Sequence, residues 1–278
     1  MQVKDPSFVS VDGRRMAFDE VTPAEPRGVV LLLTGLASYR LGWWNQLPVF
    51  GRSYRTIALD HRETGDSDVT GQPYTADDMA DDAAGVLDAL GIHRANIIGI
   101  SLGGNVTLRL ALRRPDLVDK LVLTSTFAGG TSYVAPSPEM LGLLARPGWD
   151  LEPGERRRQT YNAITGPGFA KAHPAVMDYI AQLGQHRTMS PDAYMRQLQA
   201  SSAAPDISGQ LDHITAPTLV IHGDADPLIP IANGRYLAEH IPGARSIIYP
   251  GVGHVPILER PDEYNRDVLA FLDGQRLT

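Results

Sequence analysis

The chain of 278 residues contains no cysteine. This absence excludes disulfide bonds, thiolate metal sites, iron–sulfur clusters and a cysteine nucleophile. The sequence also has no run of about 18 apolar residues, the length that a membrane-spanning helix needs. Its first residues lack the apolar core of a secretory signal peptide. We therefore expect a cytoplasmic protein without a membrane partner.

Positive charge is in the minority, because 25 Lys and Arg residues stand against 32 Asp and Glu residues, for a net charge of −7. The charges are spread along the chain, which disfavours a nucleic-acid-binding surface. The spacings of an H-E-x-x-H metal site, an EF-hand, a Walker loop and a G-x-G-x-x-G fingerprint are missing. We expect neither a metal nor an organic cofactor. The sequence gives no indication of the oligomeric state.

Short apolar runs that end in turn residues alternate with amphipathic segments. Runs that are apolar on both faces are typical of the central strands of a parallel sheet, with helices on each side. An Asp-Gly pair at residues 12–13 predicts an opening hairpin over residues 8–18. Six further strands are predicted at residues 29–33, 55–59, 96–99, 121–123, 218–221 and 246–249.

Residues 127–208 break this alternation, since they contain no strand-like run but many prolines and scattered apolar residues. We interpret them as a helical cap inserted into an α/β core formed by residues 1–126 and 209–278. A second layer of ordinary connecting helices is the alternative interpretation.

Residues 99–103, Gly-Ile-Ser-Leu-Gly, have the G-x-S-x-G spacing between a predicted strand and an amphipathic helix. That context predicts a sharp strand-to-helix turn with Ser101 at its apex. Only small residues fit two positions before and after the serine, and here both are glycine. The Ser101 hydroxyl is then presented at the end of the sheet, close to a helix N-terminus that favours negative charge. An ordinary glycine-rich turn is the alternative.

A serine hydroxyl is a poor nucleophile unless a base accepts its proton. The expected base is a histidine on a late loop, oriented by a carboxylate. Asp226 and His254 each follow a predicted strand, in the chain order Ser, Asp, His. Asp224 is the alternative acid, and we prefer Asp226. His61 also follows a strand, but it precedes the serine.

The remaining requirement is a pair of donors for the oxyanion that develops during acyl transfer. The backbone N–H of Leu102, directly after the serine, is the first candidate. The second is the backbone N–H of Leu36, in the loop after an early strand. We expect His222 to pack beside its loop and bond to it rather than to act as a base.

The serine turn with the late Asp and His resembles the α/β-hydrolase superfamily over nearly the whole chain. Residues 60–67 resemble the family's Asp-x-Arg-Gly-x-Gly-x-Ser segment, with Glu63 in place of glycine. Residues 33–36 resemble its apolar-His-Gly-x segment, with Thr34 in place of histidine. The segment over 60–67 and the serine turn look most like methylesterases of the aclacinomycin type and 3-oxoadipate enol-lactonases. The resemblance implies an α/β-hydrolase fold of eight mainly parallel strands, with a helical cap after the sixth.

The expected function is that of a serine hydrolase acting on carboxylic esters or lactones of small soluble substrates, through an acyl-enzyme. A carbon–carbon bond hydrolase, a cofactor-free perhydrolase, an acyltransferase and a slow-turnover ligand receptor remain alternatives. The apolar residues of the cap indicate pocket walls with few polar anchors. Candidates for these walls, each with ordinary core packing as its alternative, are Trp43, Trp44, Phe127, Met140 and Tyr161.

Overall fold

The computed structural model describes residues 5–276. Residues 1–4, on which part of the signal-peptide argument depends, lie outside the described residues, as do residues 277–278. The described residues form one eight-stranded sheet in the order β1-β2-β4-β3-β5-β6-β7-β8. The strands are β1 Ser7–Val11, β2 Arg14–Val21, β3 Val29–Leu33, β4 Arg55–Leu59, β5 Ala95–Ile100, β6 Val118–Thr124, β7 Thr218–Gly223 and β8 Arg245–Tyr249.

The sheet is mainly parallel, as predicted. Among the strands within residues 5–276, only β1 with β2 and β2 with β4 pair antiparallel, and strands β3 to β8 all run in one direction. The opening hairpin is confirmed, and its turn residues Asp12 and Gly13 have φ angles of 47° and 78°. Each of the six later strands lies where an apolar run predicts it. Strands β3 and β4 have the predicted bounds, and the others are longer by a few residues.

Helices cover both faces of the sheet. Both faces are apolar, because successive residues of an apolar strand point to opposite sides. Leu31 and Leu33 belong to one buried apolar cluster, and Val30 and Leu32 belong to the other. The helices are α1 Leu47–Phe50, α2 Ala76–Ala89, α3 Leu102–Arg113, α4 Pro138–Ala145, α5 Pro153–Ile164, α6 Phe169–Ala172, α7 Pro174–His186, α8 Pro191–Ser202, α9 Ile231–His240, α10 Pro256–Glu259 and α11 Pro261–Leu272.

Five of these helices, α4 to α8, lie between β6 and β7, and the structure describes no strand in that interval. The predicted helical insertion after the sixth strand is therefore confirmed. That residues 127–208 form a cap domain separate from the core stays a prediction. None of the helices within residues 5–276 has the length and apolar character that crossing a membrane requires.

The turn from β5 into α3 is sharp because two glycines allow the backbone segments to approach. A Cβ atom on Gly99 would lie 2.3 Å from the carbonyl oxygen of Gly103. A Cβ atom on Gly103 would lie 2.3 Å from the carbonyl oxygen of Leu33. Both neighbours are backbone atoms that cannot rotate away, so the expectation that only small residues fit here is confirmed.

The substitution Gly103→Ala is expected to lower the free energy of unfolding by about 2–3 kcal/mol, because β3 and α3 must move apart. The matched control is Gly142→Ala, since Gly142 lies inside α4 with nothing within 4 Å of an added Cβ. That control should raise stability by about 0.5–1 kcal/mol, the helix-propensity difference between the two residues. Urea unfolding measures both, and equal effects would contradict the steric account.

Candidate active site

The predicted site residues come from loops that follow neighbouring strands at one edge of the sheet. Ser101 follows β5, Asp226 follows β7 and His254 follows β8. Because β5 to β8 are adjacent and parallel, their carboxyl ends meet at the same edge, the place where open α/β sheets bind ligands.

Ser101 occupies the apex of the β5–α3 turn with φ 57° and ψ −122°, a conformation that non-glycine residues rarely adopt. Its N–H donates to the carbonyl oxygen of Thr124 at 2.9 Å. Its own carbonyl oxygen accepts a hydrogen bond from Thr126 Oγ1 at 2.6 Å. These bonds to the end of β6 and the loop after it hold the strained turn in place.

His254 and Asp226 are hydrogen-bonded, with 2.8 Å between His254 Nδ1 and Asp226 Oδ2. The other carboxylate oxygen, Oδ1, accepts the backbone N–H groups of Leu228 and Ile229 at 2.8 and 2.9 Å. Both side chains are buried. When neutral imidazole donates from Nδ1, its Nε2 has a free lone pair and can act as a base.

The carboxyl group of Asp226 is held in its ionised form. Burial raises its pKa, but the charges and hydrogen bonds of His254 and His222 outweigh burial and lower the pKa to about 2. His222 Nε2 lies 3.3 Å from Asp226 Oδ2 and 2.8 Å from the carbonyl oxygen of Ile229. His222 therefore packs beside its own loop and bonds to it, as expected.

The two candidate acids occupy different positions. Asp224 Oδ1 accepts the backbone N–H of Gly251 at 2.7 Å, which closes the turn between the loops after β7 and β8. Among the described residues it is Asp226, and not Asp224, that is bonded to the imidazole of His254.

Ser101 and His254 line one cavity of about 740 Å³, together with Leu36 and Leu102. Leu102 is the first residue of α3, so its backbone N–H has no acceptor within the helix. The loop that carries Leu36 lies against the serine, because a Cβ atom on Gly35 would be 3.1 Å from Ser101 Cβ. The structure thus brings both oxyanion candidates to the same cavity as the serine.

Four of the five predicted wall residues line this cavity. Trp43 does not, and it is fully buried in the apolar cluster on one face of the sheet. The walls are mainly apolar, and three arginines also contribute to them. The confirmed wall residues are Trp44, Phe127, Met140 and Tyr161, and the arginines are Arg156, Arg157 and Arg187.

His61 contacts the start of the loop that carries Leu36. Its Nε2 is 3.2 Å from the carbonyl oxygen of Thr34, and its side chain is buried. Burial lowers the pKa of His61 to about 4. The neutral imidazole can donate to Thr34, and His61 is not among the residues that line the cavity. It therefore supports the loop instead of serving as a base.

Two residues that the sequence analysis missed hold the loops of the site. Gln197 in α8 accepts the backbone N–H of Ala37, next to Leu36, at 2.7 Å. Glu259 Oε2 accepts the backbone N–H of Gly253, next to His254, at 3.0 Å. Neither lies at a strand end or in a motif, and both act on backbone groups, so no residue pattern indicated them.

Glu63, which replaces the glycine of the family segment, has φ 65° and a side chain with no exposed surface. It forms an ion pair with Arg196 of α8 at 2.8 Å and accepts the N–H of Gly71 at 2.9 Å. The replacement therefore attaches the helical insertion to the loop after β4. Within residues 5–276, no group of three or more His, Asp or Glu side chains is arranged to bind a metal ion.

An eight-stranded sheet with a hydrogen-bonded aspartate–histidine pair and a serine at its edge indicates the class of protein. The chain belongs to the alpha/beta hydrolase fold family, whose sequence profile matches residues 28–261.

Individual relatives carry several different activities in their names. The chain is 32% identical over 255 residues to a putative carbamate hydrolase RutD of Caulobacter sp. (strain K31), covering 91% of this chain and 93% of the relative. It is 31% identical to a 2-hydroxy-6-oxononadienedioate/2-hydroxy-6-oxononatrienedioate hydrolase of Cupriavidus pinatubonensis, over 87% and 86% of the two chains. The crystal structure of an enol-lactonase from Burkholderia xenovorans superimposes with a TM-score of 0.82 at 26% identity, covering 96% of this chain and all of the other.

The depressed pKa of His61 predicts a specific loss of stability in acid. In the unfolded chain, His61 binds a proton near the ordinary histidine pKa of 6.5. In the folded chain, it binds a proton only near pH 4. The contribution of neutral His61 to the free energy of unfolding is therefore fully present above pH 6.5 and is lost as the pH falls towards 4. Between about pH 7.5 and pH 5, His61 alone should lower the free energy of unfolding by about 2 kcal/mol.

In His61→Gln this part of the pH dependence should vanish, because glutamine does not titrate. The exposed His93 offers the control, and His93→Gln should retain the wild-type profile. Urea unfolding at the two pH values measures the difference. An unchanged pH dependence in His61→Gln would contradict the role of burial.

Proposed function

We propose that the protein is a serine hydrolase that cleaves carboxylic ester or lactone bonds of small soluble substrates. The observation that carries the proposal is the Asp226–His254 hydrogen bond of 2.8 Å beside a cavity that Ser101 also lines. The proposal includes a cytoplasmic location, no cofactor, and neither a nucleic acid nor a membrane as partner. Residues 127–208 serve as its cap.

In the first half-reaction, Ser101 Oγ attacks the carbonyl carbon while His254 Nε2 accepts the hydroxyl proton. Asp226 stabilises the imidazolium that forms. The N–H groups of Leu36 and Leu102 donate to the oxyanion, and one such donor contributes about 2.7–4 kcal/mol to transition-state binding. His254 then gives its proton to the departing alkoxide. Water repeats the sequence on the acyl-enzyme, releasing the acid and restoring the serine.

Carbon–carbon bond hydrolysis is the second candidate. It is favoured by the 31% identity to the Cupriavidus 2-hydroxy-6-oxononadienedioate hydrolase. Such a reaction would use the same serine, base and oxyanion donors on a ketone. Cleavage of a 2-hydroxy-6-oxo-dienedioate without turnover of any ester would select this candidate.

The test measures kcat/KM for p-nitrophenyl esters from acetate to palmitate. A mainly apolar cavity of about 740 Å³ beneath the proposed cap favours short and medium acyl groups, so the rate should fall beyond about eight carbons. In the variants Ser101→Ala and His254→Ala, kcat/KM should fall by roughly a thousandfold or more, because the two residues act as a unit. A maximum at palmitate, or full activity in either folded variant, would overturn the proposal.

The two aspartates give a second test. Asp226→Asn should lower kcat by roughly a hundredfold or more, since it removes the negative charge beside the imidazole. Asp224→Asn is the matched control, because its side-chain oxygen can still accept the N–H of Gly251. It should change kcat by less than about threefold. The reverse order would show that Asp224 is the working acid.

A further inference from the structure

The walls of the active-site cavity carry positive charge without negative charge. Arg156, Arg157 and Arg187 line it, and no Asp, Glu or Lys is among the described residues that do. This contrasts with the chain as a whole, whose net charge is −7. Arg187 is neutralised by an ion pair with Asp66. Two cations therefore remain, both on α5.

Neither of these two guanidinium groups pairs with a carboxylate in the part of the chain that the structure describes. The Arg156 guanidinium lies 4.4 Å from the ring centre of Trp149. That of Arg157 lies 5.3 Å and 5.2 Å from the rings of Tyr39 and Tyr161. Cation–π contacts of this kind hold a guanidinium group beside the rings. Arg157 Nη2 also donates to Tyr161 Oη at 3.4 Å, and the remaining N–H groups can donate to a ligand.

Arg156 is in addition partly desolvated, and this burial lowers its pKa. A cation removed from water without a counter-ion is unfavourable unless another group compensates it. Arg158, on the same helix, has such a group. Arg158 pairs with Asp178 at 2.7 Å and with Glu155 at 3.4 Å, and it does not line the cavity. Unpaired charge on α5 is thus confined to the cavity side.

We propose that Arg156 and Arg157 bind a carboxylate that the substrate carries away from its scissile bond. Carboxylates match the paired N–H donors of a guanidinium group, and such charge-assisted hydrogen bonds are strong. The substrate class is then an anionic ester or lactone, such as a half-ester of a dicarboxylic acid. The inference rests on the proposed hydrolase function and adds the chemistry of the group that is recognised.

The kinetic test compares mono-p-nitrophenyl glutarate with p-nitrophenyl pentanoate, which differ mainly in the terminal carboxylate. The wild-type enzyme should prefer the glutarate in kcat/KM by roughly tenfold or more. This preference ratio should fall by a similar factor in Arg156→Gln, and further in Arg156→Gln/Arg157→Gln. Arg158→Gln should keep the wild-type ratio. Equal rates on both esters in the wild type, or an unchanged ratio in the double variant, would overturn the inference.

A binding measurement separates this inference from the hydrolase proposal. Calorimetry on Ser101→Ala should show that monomethyl glutarate binds more tightly than dimethyl glutarate, and that salt weakens this advantage. If the wild type hydrolyses neither ester but this advantage is present and depends on Arg156, the inference stands and the proposed function fails. If the pentanoate is hydrolysed but the two glutarates bind equally, the function stands and the inference is overturned.

Discussion

The site depends on one steric constraint, the turn at Ser101 between β5 and α3. The turn, with positive φ at the serine, can be this sharp because Gly99 and Gly103 let the strand, the helix and the end of β3 approach within contact distance. This closeness places the loop that carries Leu36 beside the serine. Because α3 begins directly after Ser101, the first N–H groups of this helix also lie beside the serine. The proposed nucleophile and the proposed oxyanion donors are therefore consequences of one backbone geometry.

The helical insertion takes part in this geometry as well as covering it. The backbone N–H of His254 donates to the carbonyl oxygen of Ile164, at the end of α5, at 2.8 Å. The Glu259 carboxylate bonds both Gly253 and Gly166, so it connects the loop after β8 to the residues that follow α5. The helix that we propose to recognise substrate carboxylates is thus the helix whose end fixes the proposed base. The proposed substrate binding on α5 and the positioning of His254 therefore involve the same helix.

The strands and the three residues of the proposed triad were predictable from the sequence, because apolar runs that end in Gly, Ser, Thr or Asp mark strand ends locally. The choice between Asp224 and Asp226 was less secure, since it depends on which side chain a tight turn directs towards β8. Gln197 could not be predicted, because it bonds a backbone N–H 160 residues away in the chain. The unpaired state of Arg156 is likewise a property of its three-dimensional surroundings.

The central claim is that Ser101 is a nucleophile activated by His254, and a fluorophosphonate probe tests it without knowledge of the substrate. Intact mass spectrometry should show one adduct on the wild-type chain, and peptide mapping should place it on Ser101. Labelling should be much slower in His254→Ala and absent in Ser101→Ala. A folded wild-type protein that takes up no probe, or an adduct that persists in Ser101→Ala, would contradict the account.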